Sequence, residues 1–156
     1  MTMITLTQKL IKERFAQCNQ AYFEGKLRRP QIIRITRAKG YVAKVTYYPN
    51  KKTRRCEGLK LIFSEMYEYD DEMFTNVMVH EMIHVYMLRK WIMEKDPHGP
   101  RWQKMADEMN SKYGLNIQES SDLTPKGGFS LMESIFYFCV GLYQWLRHPN
   151  NYSLEK

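Results

Sequence analysis

The sequence predicts an α+β domain: an N-terminal helix, a small antiparallel sheet of about three strands, a central helix, a further helix and a C-terminal hairpin. Three observations carry this reading. Runs rich in β-branched and aromatic residues gather between residues 31 and 63, apolar patterns of helical period lie on either side, and Pro or Gly punctuates the changeovers. Strands grouped in one stretch and helices in others mark α+β rather than an alternating α/β chain. At 156 residues the chain is one ordinary domain with room for a core, and 44% apolar with 26% charged residues sets aside disordered and fibrous classes.

Taken in order, Thr5 with Gln8 three residues on predicts a capping box. Leu6, Leu10, Phe15, Cys18 and Tyr22 continue at helical spacing to an expected end at Gly25. Pro30 stops any continuation. QIIRIT (31–36), YVAKVTYY (41–48) and LKLIF (59–63) then read as three strands of an antiparallel meander, the last two separated by PNKKTRRCEG. Asp70, Asp71 and Glu72 favour a helix start, and the long helix that follows is expected to reach about Met93. Phe74, Val77, Met78, Val85, Leu88 and Ile92 share one of its faces; Met73, His80, His84 and Trp91 lie on a neighbouring one. Apolar on two faces, it should be central. Pro100 opens the next helix and Gly114 closes it. QESSDLTPKGG is loop-like, and FSLMESIFYFCVGLYQWLRHPN fits a last hairpin or a buried helix. The expected division is a core over residues 1–118, with a loop and hairpin over 119–156 packed on it.

The N-terminal stretch lacks the uninterrupted apolar run of a secretory signal, and IFYFCVGLY is far shorter than the ~20 residues needed to cross a bilayer, so no membrane association is expected. Cys18, Cys56 and Cys139 are widely spaced and odd in number. They suggest neither a disulfide framework nor a thiolate metal site, and a reducing, cytoplasmic setting fits them best. The net charge of +7 is unevenly spread. Between Lys26 and Lys60 twelve basic residues face Glu57 alone, a local net of +11.

The chemistry concentrates in His80-Glu81-Met82-Ile83-His84, an H-E-x-x-H on the central helix. Four residues make just over one turn, so both imidazoles project from one side and can meet one ion. Zinc suits such nitrogen donors and, in catalytic sites, takes three protein ligands while leaving one position open. Glu81, beside His80, is placed to act as a base rather than a ligand. The alternative is that the two histidines only make core hydrogen bonds. Buried imidazoles and a buried carboxyl without partners carry a desolvation cost, however, and an ion relieves it. A histidine six residues past His84 would mark a metzincin, but Lys90 stands there. The third ligand is expected from His98, in the Pro- and Gly-marked turn after the helix, with Glu94 and Glu108 as carboxylate alternatives; His148 reads as surface.

HEMIHVYMLRK followed by DPHGPRWQKMADEMNSKYGLNI resembles the core of the SprT-like metalloproteases, the family that includes the eukaryotic Spartan proteases. FAQCNQAYFEGKL (15–27) resembles that family's first helix with its F-x-G-x-L ending, and LKLIFSEM (59–66) its strand before the active helix. The likeness covers roughly residues 10 to 118, and H-E-M-I-H with the downstream H-G-P is its most specific part. The resemblance implies a minimal zincin fold, one zinc ion held by His80, His84 and His98, and Glu81 as general base. It also implies protein substrates, for eukaryotic members proteins crosslinked to DNA. The sequence departs from the pattern at its end. Many bacterial members carry a zinc ribbon of paired cysteines, whereas Cys139 stands alone here, so a second zinc is not expected.

The basic stretch bears on the same question. Lys51, Lys52, Arg54 and Arg55, with Tyr41, Tyr47 and Tyr48 nearby, fit phosphate contacts and base stacking on single- or double-stranded DNA. They fit equally a solvated sheet face with a charged hairpin tip. A second class of function therefore stays open, a non-catalytic zinc-containing adaptor on DNA. A monomer is expected.

Overall fold

The computed structural model describes residues 3–120, 123–128, 130, 132 and 133. Helix α1 (Gln8–Tyr22) begins at Thr7, not Thr5. The Thr7 hydroxyl accepts the Leu10 amide at 3.1 Å, and this phase buries Ile11, Phe15 and Cys18 on one stripe. Arg14 ties the helix to the next layer. Its guanidinium donates to the Asp71 carboxylate, to the Asp71 carbonyl at 3.2 Å and to the Thr75 hydroxyl, and lies 5.1 Å from the Phe74 ring centre. That pairing holds the Asp71 carboxyl below the usual carboxylate range.

Three strands follow, β1 (Ile32–Thr36), β2 (Ala43–Asn50) and β3 (Arg55–Ser64), in the order β1-β3-β2. The α+β class and the three strands agree with expectation; the antiparallel meander does not. β2 pairs antiparallel with β3, but β1 pairs with β3 in parallel, from Ile32 opposite Lys60 to Thr36 opposite Ser64. The cause is the connection 37–42, which crosses over the end of β3 instead of turning back beside β1. Glu65 N donates to Thr36 O at 2.9 Å and Ser64 N to Val42 O at 2.8 Å. The Ser64 hydroxyl donates to Ala38 O and the Tyr67 hydroxyl to Lys39 O, while the Tyr69 hydroxyl donates to Ser64 O at 2.8 Å. Among the described residues β2 is thus an edge strand, paired on one side only.

The β2–β3 register slips by one residue between Thr46 and Tyr48, the extra residue lying on β3. Gly58 supplies it at φ +59°, and a Cβ there would come 3.0 Å from the Tyr48 ring. The slip also explains why the buried Cys56 and Leu59 are three apart in a strand whose side chains otherwise alternate.

Helix α2 (Asp71–Arg89) starts with Asp70 accepting the Met73 amide at 2.8 Å, with Asp71 and Glu72 in the first turn. It is buried on nearly all sides through its middle and packs on α1, β2, β3 and α3. Phe63, Tyr69 and Phe74 meet beneath it with ring centres 5.6 to 6.3 Å apart. It stops at Arg89 rather than near Met93. Trp91 adopts φ +56°, Trp91 N donates to Leu88 O at 3.2 Å and Ile92 N to Met87 O at 2.8 Å, the hydrogen-bond pattern of a Schellman end without its usual glycine. Helix α3 (Pro100–Tyr113) has Pro100 in its first turn and Gly114 at φ +67° closing it, as expected. Cys18 and Cys56 are free and buried. No helix among the described residues is long and apolar enough to cross a membrane. Most of the expected C-terminal hairpin, with Cys139 and His148, lies outside the described residues.

Candidate metal centre

Helix α2 presents His80 and His84 one turn apart. The chain then reverses, and the turn that delivers His98 is fastened from both ends. The Asp96 carboxylate accepts the His98 amide at 2.9 Å, and both Glu94 carboxylate oxygens accept the Arg101 amide at 3.3 Å. A carboxylate at the start of α3 is favoured by the helix dipole. Gly99 makes the fit possible, since a Cβ there would lie 3.0 Å from the Glu94 carboxyl carbon and 3.1 Å from Asp96 O.

The result is a convergence of three imidazoles. Their Nε2 atoms stand 3.2 Å apart for His80 and His84, and 3.1 Å for both His84–His98 and His80–His98. Burial, first among the causes, lowers all three from the ordinary histidine range, His80 to about 4 and His84 to about 3. The rings are therefore neutral at physiological pH. His80 Nδ1 lies 2.8 Å from Gln118 O, a bond it can make only by donating, which leaves the Nε2 lone pair facing its neighbours.

A triangle of nitrogens has a simple test. Ligands about 2.0 to 2.1 Å from a tetrahedral ion lie roughly 3.3 Å from one another, close to the spacing observed, and three ligands leave a fourth direction free. His80, His84 and His98 are the one group of metal-compatible side chains found among the described residues. The donor set fits a borderline divalent ion such as zinc.

Beneath the triangle lies Trp102, 1% exposed, with ring centres 4.7, 5.7 and 4.5 Å from those of His80, His84 and His98. It closes the site from below with apolar surface. Beside it Glu81 is only 4% exposed, and its Oε2 has no hydrogen-bond partner among the described residues. Burial pushes the Glu81 carboxyl up to about 8, with the Val45 backbone amide pulling the other way. A buried carboxyl oxygen without a partner marks a place where a proton or a polar ligand belongs. Two clefts, of about 750 and 280 Å³, meet at this point and share Ala43, His80, Glu81 and His98 as walls.

Neither carboxylate expected as an alternative ligand is grouped with the three imidazoles. Glu108 is 66% exposed and pairs with Lys104 at 3.9 Å on the outer face of α3, while Glu94 is committed to the Arg101 amide. Three residues that the sequence did not single out support the site: Trp102, Gln118 through its carbonyl, and Gln103. The Gln103 amide donates to His98 O at 3.3 Å and to Glu119 Oε2 at 3.2 Å. An aromatic in the first turn of the helix after H-G-P was a usable signal for Trp102. A backbone carbonyl has none.

Lys51, Lys52, Arg54 and Arg55 lie exposed at the tip of the β2–β3 hairpin and line neither cleft. Tyr48, 66% exposed, is nearby with Lys60 Nζ 5.9 Å from its ring centre, whereas Lys44 Nζ sits 3.9 Å over Tyr41.

Compared with known proteins, the chain matches the family model of the SprT-like family over residues 11–121, well over half its length. No curated protein matches it.

Proposed function

The chain belongs to the SprT-like family, and from that premise we propose that it is a zinc-dependent metallopeptidase hydrolysing peptide bonds in protein substrates. The observation that carries the reading is the convergence of three neutral imidazoles beside a buried carboxyl, one of whose oxygens has no partner among the described residues, at the junction of two clefts. His80, His84 and His98 hold the ion and Glu81 acts as base. Zinc, when bound, polarises a carbonyl oxygen and lowers the pKa of water.

The protein's own groups do the rest. Glu81 Oε2 takes the proton of the attacking water and returns it to the departing amine nitrogen. Its raised affinity for protons, caused by burial, suits it to hold that proton between the two steps. Trp102 excludes water from below the rings, and the Gln118 carbonyl keeps His80 in its metal-facing tautomer. Among the described residues β2 has no second partner strand and its residues border both clefts, so an extended substrate can add as a further strand. The adaptor reading is disfavoured because structural zinc sites are usually closed by four protein ligands, and the described residues group three.

Purified protein is expected to contain one zinc per chain and to cleave casein, with cleavage lost on chelation and restored by zinc. Protein that binds the metal fully and cleaves nothing, with or without single-stranded DNA, would return the adaptor to first place.

A role on DNA-bound or DNA-crosslinked proteins rests on the hairpin tip. Phosphate contacts release counterions, so binding of single- or double-stranded DNA should weaken steeply with salt. Replacing Lys51, Lys52, Arg54 and Arg55 together by Ser should flatten the slope of log affinity against log salt by about 3 to 4. An unchanged slope in a salt titration by fluorescence anisotropy removes the tip as the DNA contact.

A further inference from the structure

We infer that the smaller cleft is a specificity pocket for one bulky apolar side chain of the substrate, adjacent to the bond that is cut. This rests on the peptidase reading and adds the class of residue the site selects. At about 280 Å³ the cleft falls just below the roughly 300 to 1,000 Å³ of small-molecule sites, room for one side chain. It opens beside His84, His98 and Glu81, and Val45, Tyr47, Met87, Leu88, Ile92 and Met93 line it.

The charged groups at its rim are already engaged. Glu94 receives the Arg101 amide, Asp96 receives the His98 amide, and Lys44 lies over the Tyr41 ring. Away from the imidazoles and these rim groups, the lining is aliphatic, thioether and aromatic surface. The turn that ends α2 builds part of this wall, since the bond from Ile92 N to Met87 O draws Ile92 back against the last helical turn. Two methionines make the lining adaptable, so Leu, Met and Phe should all be accepted.

The larger cleft is mixed rather than apolar. Asp70, Glu72, Asn76 and Glu119 border it beside Val42, Met73, Val77 and Leu123. Residues 40–43 of the chain line the larger cleft and residues 43–45 and 47 the smaller one, so an extended substrate along β2 meets a mixed surface with carboxylates on one side of Glu81 and the wall of Met87, Leu88, Ile92 and Met93 on the other. The strongest apolar selection should therefore appear at the position that reaches the smaller cleft.

The test is to digest a tryptic-free, proteome-derived peptide mixture with the zinc-loaded protein and map the cut sites by mass spectrometry. Leu, Met and Phe are expected to be enriched about tenfold at one fixed position within two residues of the cut. Met93, 42% exposed, can be changed with little risk to the fold. Met93→Lys should lose the apolar enrichment and favour Asp or Glu at the same position. A second readout needs no turnover: a well-cut peptide should bind Glu81→Gln about tenfold more tightly, by fluorescence anisotropy, than its counterpart with the apolar residue changed to Ala. Wild-type cleavage without apolar enrichment, or a Met93→Lys profile identical to wild type, overturns the pocket and leaves the peptidase reading standing. No cleavage at all overturns both. Should Met93→Lys prove inactive, the wild-type profile and the binding ratio decide.

Discussion

Glu81→Gln should lower the rate of casein cleavage by about 10²- to 10⁴-fold, the range a positioned general base contributes, while zinc content per chain stays at the wild-type value. The substitution keeps the size of the side chain and removes its capacity to take a proton. Because Glu81 is buried with Oε2 unpartnered, its charged form is costly in the folded state, so the neutral amide should leave thermal stability unchanged or raise it. Metal content and melting temperature together exclude simple unfolding as the cause of lost activity. A Glu81→Gln protein that cleaves as fast as wild type removes Glu81 from the chemistry.

His98→Ala should reduce zinc affinity by more than the about 10- to 100-fold that loss of a mere supporting partner costs, and dialysed protein should then fall well below one zinc per chain. Glu108→Ala is the matched control. Its carboxylate is 66% exposed and pairs with Lys104 across one helical turn, so both zinc content and melting temperature should stay put. Titration against a competing chelator separates the two variants. Equal affinities for His98→Ala and wild type would mean that the third imidazole is a neighbour and not a ligand; a loss confined to Glu108→Ala would transfer the role to the carboxylate.

The site was legible where its geometry is local. His80 and His84 share a helix face by spacing alone, and His98 follows within a short turn whose Pro97, Gly99 and Pro100 announce a reversal. The same punctuation marked both ends of α3. Where the chain departs from the usual residue, the sequence misleads. α2 was expected to run on to Met93 because Trp91 takes a left-handed conformation that Gly ordinarily signals. Sheet order was out of reach for a different reason. The parallel pairing of β1 with β3 depends on a six-residue crossing held by hydroxyls from Ser64 and Tyr67, far along the chain from the strand they redirect. The bond between His80 and the Gln118 carbonyl spans 38 residues and involves a backbone atom that every residue carries. Trp102 was visible as a helical residue, but only packing shows that it lies under all three rings.

The side of β2 that has no partner strand among the described residues has a consequence for solubility. A bare strand border that can welcome a guest segment can also template a second molecule, the first step toward fibrils. β2 carries several of the deterrents natural sheets use: Lys44 near its beginning, a slipped register after Thr46, and Pro49, which has no amide hydrogen to offer. Regular pairing is left to a few residues from Ala43 to Thr46, enough to grip a short guest and too short to seed stacking of whole chains.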